Sequence, residues 1–168
     1  MALFTHKRVI NYDDYMTPYH VWNDIDIYIP KDKIIWESAY GDGKSKAILQ
    51  SLGVKKIIHK PYDFFKKQPK RWDIQITNPP FNIKKEWFEQ SKKYDKPFII
   101  LCPSSTLNTQ YFRKFFKDKI QIIIPRKRIN FIKYDREKNE IISQSNRCNF
   151  DTLYYCYKMN LPKDIIWL

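Results

Sequence analysis

Glycine is scarce in this sequence, with 3 glycines among 168 residues, where a protein of this length carries about 12 on average. The chain also has no glycine- or serine-rich linker, no internal repeat and no low-complexity block. These absences favour a single domain over residues 1–168, which is long enough to bury a substantial core. Two of the glycines, Gly41 and Gly43, lie close together, and their placement marks the first segment of interest.

Other absences narrow the class of protein. No apolar run approaches the ~18 residues of a membrane helix, so we expect no association with a membrane. The 3 cysteines are odd in number and have no CxxC spacing, which argues against a disulfide framework and against a metal site. The basic N-terminus has no apolar stretch after it, so we expect no signal peptide and a cytoplasmic, reducing location.

Positive charge is in excess. The chain has 31 Lys and Arg against 18 Asp and Glu, a formal net charge of +13, and a pI of about 9.6. Such a balance favours a polyanionic partner, of which nucleic acid is the commonest. The competing explanation is a codon bias that enriches lysine together with isoleucine, asparagine, tyrosine and phenylalanine on an ordinary solvated surface.

Short apolar runs and helical patterns alternate along the chain. Strands are predicted at 33–37, 55–59, 72–77, 97–102, 120–124 and 152–157, helices at 44–52, 83–94 and 109–116, and a hairpin at 128–144. In the helix 44–52 we expect Ala47, Ile48 and Leu52 to share the buried face. The alternation predicts an α/β fold with a mostly parallel sheet, helices on both faces and antiparallel strands near the C-terminus.

Two segments are interpreted as extensions of this core. Residues 1–12 are expected to form a mobile basic arm, and a short helix is predicted to follow, with Thr17 as its N-cap and Pro18 at its first position. Residues 126–147, which include the whole hairpin, are interpreted as a small insertion that contacts the substrate.

Residues 37–45 combine a strand end, a Gly-x-Gly turn and a helix start. A turn of this kind lets the backbone approach a ligand closely. Three interpretations stay open: a loop that binds a nucleoside cofactor, a structural turn, and a phosphate-binding P-loop, since Gly43-Lys44-Ser45 matches the end of G-x-x-x-x-G-K-[ST]. Against the P-loop, Ser38 stands where the first glycine is required, and the third predicted strand ends in Asn78 rather than in a Mg²⁺-binding aspartate.

A second unusual segment, Asn78-Pro79-Pro80-Phe81, follows the strand 72–77. Two prolines stop the hydrogen-bond ladder and fix the backbone, as in an ordinary strand terminator. The neighbouring groups offer more: the Asn78 side-chain oxygen and the Pro79 carbonyl can each accept one N–H of an exocyclic amine, and Phe81 can stack on a base. Because ligands bind at the carboxyl ends of parallel strands, this segment and residues 37–43 are expected to face one crevice.

Together these segments resemble the S-adenosyl-L-methionine-dependent methyltransferases that act on amino groups. Residues 78–81 are similar to their (Asn/Asp/Ser)-Pro-Pro-aromatic motif, and residues 37–43 to the motif that cradles the cofactor. The Thr-Pro pair at 17–18 resembles the element that closes over the methionine end, and the Asp-Phe pair at 63–64 the one whose acid reads the cofactor's adenine. The resemblance implies catalytic roles for Asn78, Pro79, Pro80 and Phe81, and cofactor contacts for Thr17, Pro18, Glu37, Ser38, Ala39, Gly41, Gly43, Asp63 and Phe64.

The type that this sequence most resembles is the small adenine-specific DNA methyltransferase encoded by phages and viruses, which would act inside an infected cell. The resemblance implies a Rossmann-like methyltransferase fold and methyl transfer from S-adenosyl-L-methionine to the N6 amine of adenine in DNA. Alternatives are adenine in RNA, glutamine in a protein, or a catalytically degenerate protein that binds nucleic acid. The last is kept open because the second predicted strand ends in His59, where the family has an acid that binds the ribose hydroxyls.

Two clusters of cations are candidates for contacts with the nucleic-acid backbone, which position a substrate without reading its sequence. Lys84 and Lys85 directly follow the Asn-Pro-Pro-Phe segment, and Arg126, Lys127 and Arg128 precede the hairpin. Little of the chain remains for a separate recognition domain. Sequence specificity is therefore expected to be low, or to come from the insertion 126–147 or from a partner subunit.

Overall fold

The structure is a computed structural model, which describes residues 15–135, 138, 140–143 and 150–168. The basic arm predicted at 1–12 and parts of the insertion predicted at 126–147 lie outside the described residues.

Short strands and helices alternate along the described chain, as the sequence predicts. The strands are β1 (Tyr15–Met16), β2 (Ile34–Trp36), β3 (Lys56–Ile58), β4 (Ile74–Thr77), β5 (Phe98–Pro103), β6 (Ile120–Ile124), β7 (Ile132–Asp135), β8 (Glu140–Ser143), β9 (Thr152–Tyr157) and β10 (Ile165–Trp167). The α-helices are α1 (Tyr19–Asn23), α2 (Ser45–Ser51), α3 (Lys84–Tyr94) and α4 (Gln110–Phe116), and 3-10 helices span Asp26–Tyr28, Phe81–Ile83 and Ser104–Asn108.

The main sheet has 7 strands in the order β10-β6-β9-β5-β4-β2-β3. Its pairs are parallel except for those of β9, which runs antiparallel to both β5 and β6. The predicted α/β class with a mostly parallel sheet is thereby confirmed. The strand β10 was not predicted, because its three residues are too few to show a periodic pattern, and it lies at the edge of the sheet beside β6.

The order of the strands reverses at β2. The chain leaves β2 through α2 to β3 on one side and then returns to β4 on the other side of β2. In open α/β sheets, ligands bind in the crevice beyond the carboxyl ends of the strands at such a reversal. The loops that follow β2 and β4 therefore border the position where this fold forms a ligand site.

A second sheet of 3 strands, in the order β1-β7-β8, contains the predicted hairpin. The strands β7 and β8 are antiparallel with a register irregularity at Lys133/Tyr134, and β1 pairs with β7 through Tyr15 and Met16. This pairing brings the segment that begins with Thr17 beside the hairpin.

The buried face of α2 differs from the one expected. Leu49 is fully buried, Ile48 and Leu52 are half-buried, and Ala47 is exposed. A helix of two turns has too few residues for its periodicity to define one face, and the sheet beneath it selects the side that is buried. Gly53, with a φ of 90°, ends this helix as a left-handed C-terminal residue.

None of the helices within the described residues is long and apolar enough to cross a membrane.

The packing of α2 predicts an order of stability losses. Leu49→Ala is expected to lower the free energy of unfolding by about 2–5 kcal/mol, because it leaves a cavity in a closed part of the core. Ile48→Ala, one residue earlier and half-buried, is expected to cost less. Urea unfolding of both variants measures this; a larger loss for Ile48→Ala would favour the face expected from the sequence.

Candidate functional site at the strand reversal

The glycine loop (residues 37–44, after β2) and the Asn-Pro loop (residues 78–80, after β4) leave neighbouring parallel strands at the same edge. They are joined through Glu37, whose Oε1 accepts a hydrogen bond from the Thr77 hydroxyl at 2.6 Å and from the Ala39 N–H at 3.0 Å. The Ala39 N–H also lies 3.1 Å from the Thr77 hydroxyl oxygen. The structure thus brings the two predicted segments together.

Burial changes the charge state of Glu37. The residue is 1% exposed, and desolvation raises the pKa of its carboxyl to about 8, although hydrogen bonds from Thr77, Ala39 and Ser45 oppose the shift. The carboxyl is therefore mainly protonated at neutral pH. It acts as a neutral hydrogen-bonding group that fixes the start of the glycine loop.

A second buried chain of hydrogen bonds supports the same loop from below. Gln75 in β4 donates its amide N–H to the Ser38 hydroxyl at 2.7 Å and accepts from the Ser91 hydroxyl of α3 at 2.8 Å. All three residues are at most 3% exposed. Gln75 and Thr77 were not among the predicted site residues; polar side chains within an otherwise apolar strand were the available signal.

The turn of the glycine loop depends on its two glycines. Gly41 and Gly43 have φ values of 55° and 81°, a region that favours glycine. A Cβ on Gly43 would lie 3.0 Å from the Tyr40 hydroxyl oxygen. The Asp42 carboxylate accepts from the Lys44 N–H at 3.0 Å, which closes the turn before α2 begins.

Asn78 has one satisfied and one open hydrogen-bonding group. Its side-chain N–H donates to the Thr17 hydroxyl at 3.0 Å, whereas its side-chain oxygen is buried and finds no donor among the described residues. The N-cap of α1 is Pro18 rather than the predicted Thr17, and no described side chain caps the helix. The Thr17 hydroxyl is thus bound to Asn78 instead of to the helix backbone.

The Phe81 ring is packed into an aromatic cluster. It is 7% exposed and lies near-parallel to Tyr15 at 6.2 Å between centroids, with Phe131 and Phe150 edge-on at 5.7 and 5.3 Å. Before it, Pro79 is buried and Pro80 is half-buried at the start of a 3-10 helix. The cluster fastens the Asn-Pro loop to the smaller sheet.

The Asp63-Phe64 pair is only partly placed as the resemblance implies. The Asp63 carboxylate is exposed, accepts from the Phe65 N–H at 3.0 Å and lies 3.3 Å from the Lys66 ammonium. Phe64 is 2% exposed and stacks on Trp87 at 4.0 Å, so its ring belongs to the core. The neighbouring Phe65 is 42% exposed and is the more accessible aromatic ring in this segment.

The cationic candidates divide into side chains that form hydrogen bonds within the protein and side chains that form none among the described contacts. Lys84 donates to the Phe81 carbonyl at 3.2 Å, and Arg128 forms two hydrogen bonds with the Asp151 carboxylate at 2.7 and 3.1 Å. Lys85, Arg126 and Lys127 are exposed. The described hydrogen bonds and ion pairs include none made by the side chains of these last three.

A cavity of about 190 Å³ lies beside the glycine loop. Its lining comes from the Thr17-Pro18 segment, from Asp42 and Lys44 of the glycine loop, and from Ile132 and Ile141 of the hairpin. Three parts of the chain that are distant in sequence thus enclose one space at the edge of the crevice.

Comparison with known proteins shows the fold. No protein-family model matches the sequence, and no curated protein matches it. Protein 1320 of Thermoplasma acidophilum aligns with a TM-score of 0.50 and 11% identity, over 84% of this chain and 86% of that one. A Listeria monocytogenes protein, described as a putative class I S-adenosylmethionine-dependent methyltransferase, aligns with a TM-score of 0.52 and 14% identity, over 94% of this chain and 66% of that one. The chain therefore has a Rossmann-like α/β fold, similar to that of the putative methyltransferase from Listeria monocytogenes.

The buried Glu37 carboxyl predicts a loss of stability with rising pH. Its native pKa is about 8 against an ordinary value of 4.5, so the native state binds more protons than the unfolded chain between these values and is destabilised as the pH rises through them. Glu37→Gln removes this titration. As the pH rises over this window, we expect the free energy of unfolding of the variant, relative to that of wild type, to increase by up to about 5 kcal/mol.

Urea unfolding of both proteins at fixed temperature from pH 4.5 to pH 8 measures that difference. The other titrating groups are common to both proteins and cancel in the comparison. A difference that stays constant over the range would show that Glu37 titrates in the native state as it does in the unfolded chain.

Proposed function

We propose that this protein transfers a methyl group from S-adenosyl-L-methionine to the N6 amine of adenine in DNA. The observation that carries the proposal is the open side-chain oxygen of Asn78, a buried acceptor in an Asn-Pro-Pro-Phe segment at the strand reversal. A buried acceptor without a donor costs about 1–3 kcal/mol, and a substrate N–H would recover that cost.

A buried polar atom without a hydrogen-bond partner does not by itself define a site. The indole N–H groups of the core, such as that of Trp22, also lack a partner among the described residues. Asn78 is distinguished by its position and by its other contact. It follows β4 at the carboxyl edge of the sheet, and its side-chain N–H already binds Thr17, which leaves the oxygen as the end of the amide without a partner among the described residues.

The chemistry proposed for this segment is the alignment of a weak nucleophile. The lone pair of an exocyclic amine is delocalised into the base, and accepting both of its hydrogens, at Asn78 and at the Pro79 carbonyl, favours a pyramidal nitrogen. Orientation and complementarity to the positive charge that develops on nitrogen then supply the main catalytic effects. This proposal assigns no general base.

The residues of the glycine loop fit the proposed cofactor. The φ values of Gly41 and Gly43 allow a tight turn directly after β2, and the cavity beside Thr17 and Pro18 adds space for part of the ligand. When bound, the cofactor supplies a methyl group on a positively charged sulfur. The buried bonds of Glu37 and Ser38 hold the loop that would orient it.

Binding of duplex DNA would require the target base to leave the stack, which costs a few kcal/mol. Phe81 is proposed to stack on the base face, and because its ring is packed against Tyr15, that contact would have to open first. Exposed cations at the same edge of the sheet, Lys85, Arg126 and Lys127, are proposed to hold the phosphates.

Methyl transfer from labelled S-adenosyl-L-methionine to duplex DNA, single-stranded DNA and RNA in parallel tests the proposal. Asn78→Ala is expected to lower the transfer rate by at least about 100-fold, since loss of one such positioning hydrogen bond is amplified in the transition state. Cofactor affinity, measured by calorimetry, is expected to change little. The exposed Asn108 provides a matched control as Asn108→Ala.

A wild-type transfer rate in Asn78→Ala would sink the assignment of this segment. Label in RNA alone would favour the RNA methyltransferase. Absence of both transfer and cofactor binding in the wild-type protein would leave the nucleic-acid-binding alternative.

The salt dependence of DNA binding tests whether particular cations contact the phosphates or whether the net positive charge attracts DNA without a defined face. The double variant Arg126→Ala, Lys127→Ala is expected to bind DNA more weakly and to lower the slope of log affinity against log salt by about 1 for each phosphate that the variant no longer binds. Lys117 and Lys119 precede β6, whereas Arg126 and Lys127 follow it, so the double alanine variant of these two lysines is a control of equal charge at the opposite edge. Equal effects of the two double variants would mean that the overall charge attracts DNA without a defined face.

A further inference from the structure

The main sheet has two edge strands, β3 and β10, and they differ in how they are protected. An edge strand presents unpaired N–H and C=O groups that can pair with another chain, and lysines on the strand oppose such pairing. In β3, Lys56 lies within the strand and Lys55 directly before it, and both are exposed. The three residues of β10 are Ile165, Ile166 and Trp167, so this strand carries no charged side chain.

The backbone of β10 is paired on one side. Within the described part of the chain, its neighbour in the sheet is β6 alone. The Asp164 carbonyl accepts from the Ile122 N–H at 2.8 Å, and the Leu168 N–H donates to a carbonyl of β6 at 3.1 Å. Because the backbone groups of successive residues in a strand point to alternate sides, those of Ile165 and Trp167 point away from β6, to the open side.

The same two residues carry exposed apolar side chains. Ile165 is 56% and Trp167 is 77% exposed, whereas Ile166 between them is 8% exposed and belongs to the core. Side chains at alternate positions of a strand lie on one face, so the isoleucine and the tryptophan form an apolar pair beside the open backbone groups. Exposed aromatic side chains of this kind are enriched in protein–protein interfaces.

We propose that β10 pairs in antiparallel orientation with β10 of a second copy of this chain, about a two-fold axis at Ile166. This register places Ile165 opposite Trp167 of the partner subunit, and the two-fold axis repeats the pair. Opposite residues whose backbone groups face each other exchange both N–H···O=C bonds. The open backbone groups of each copy are thereby paired, and each isoleucine packs on a tryptophan across the strands, a favourable combination.

A second copy fits this edge because the strand is complementary to itself. The residues with outward backbone groups are also the residues with exposed apolar side chains, and in this register each of them meets its complement. A shift by two residues would place Trp167 opposite Lys163 of the partner subunit and lose the apolar pairs. The register is therefore defined by the side chains as well as by the hydrogen bonds.

Charge around β10 does not oppose the pairing. Three lysines and two aspartates lie beside the strand: Lys119, Lys158, Lys163, Asp118 and Asp164. This surface therefore holds little of the chain's net charge of +13, and repulsion between two copies is weak there. Because the opposite edge strand, β3, carries lysine, association is expected to stop at a closed dimer.

The dimer leaves the candidate site accessible. In the order of strands, β10 lies at one edge of the sheet and β2 lies next to the other edge. An antiparallel pair about this axis directs the carboxyl edges of the two copies to opposite sides, so each crevice binds its ligand independently. A pair of three-residue strands is smaller than a standard interface of about 1,200–2,000 Å², so we expect a weak dimer, with a Kd between about 1 μM and 1 mM.

Analytical ultracentrifugation of the wild-type protein from about 1 μM to 1 mM, at fixed salt concentration, tests the proposal without any ligand. The mass is expected to rise from that of one chain to that of two. Trp167→Lys places a lysine on the edge and is expected to weaken the dimer at least about tenfold. Ile27, which is 82% exposed outside the main sheet, provides the matched control as Ile27→Lys, expected to associate as wild type does.

The backbone contact is tested by Trp167→Pro. This change removes an N–H that points away from β6 and leaves the hydrogen bonds between β10 and β6 in place. Circular dichroism is expected to show a folded protein, and the variant is expected to stay monomeric over the whole range of concentration.

Two double variants test the register. Ile165→Lys with Trp167→Glu sets opposite charges face to face across the two strands and is expected to retain the dimer within about tenfold, whereas Ile165→Lys with Trp167→Lys sets like charges face to face and is expected to abolish it. A wild-type protein that stays monomeric to about 1 mM, a dimer that Trp167→Lys leaves unchanged, or equal dissociation of the two double variants would each overturn the proposal. None of these outcomes bears on methyl transfer, so the proposed function is tested separately.

Discussion

The hydrogen bond between Thr77 and Glu37 joins the ends of β2 and β4, and with them the two loops in which the candidate site was predicted. The parallel register that pairs Trp36 with Gln75 places the ends of β2 and β4 side by side. The glycine loop and the Asn-Pro loop therefore begin next to each other. An uncharged carboxyl can occupy this buried place because three groups hydrogen-bond to it. A change of one residue in register would separate Glu37 from Thr77 and direct the side chains of one strand to the other face.

The buried polar groups around this junction fall into two sets, those with hydrogen-bond partners and those without. Below the crevice, the bonds among Glu37, Thr77, Gln75, Ser38 and Ser91 hold the start of the glycine loop in place. Directly after β4 and β3, the Asn78 oxygen and the His59 Nδ1 atom are buried without donors among the described residues. A loop that buried hydrogen bonds already order lowers the entropic cost of binding a ligand beside it.

Much of the fold could be predicted from the sequence because apolar runs and prolines act locally. The strands before the glycine and Asn-Pro loops and the helices after them follow from such signals, and so does the hairpin. Other features depend on pairing between distant residues. Thr77 binds Glu37, which lies 40 residues earlier in the chain. Phe64 is buried in the core, where its ring stacks on Trp87. Arg128 binds Asp151 at the other end of the hairpin. No local pattern encodes these partners.

The pairing of Arg128 also bears on how a basic chain would recognise a polyanion. Its guanidinium is held by Asp151, whose backbone carbonyl accepts from Ser104 after β5, so this arginine fastens the base of the hairpin to the main sheet. At the opposite edge, Lys92 and Lys158 share the Asp95 carboxylate. Net charge therefore overstates the number of cations available for phosphates, since an ion pair already neutralises part of it. For the proposed contact with nucleic acid, the exposed Arg126 and Lys127 are stronger candidates than net charge, because the neighbouring Arg128 anchors the backbone and limits the entropy that their ordering would cost.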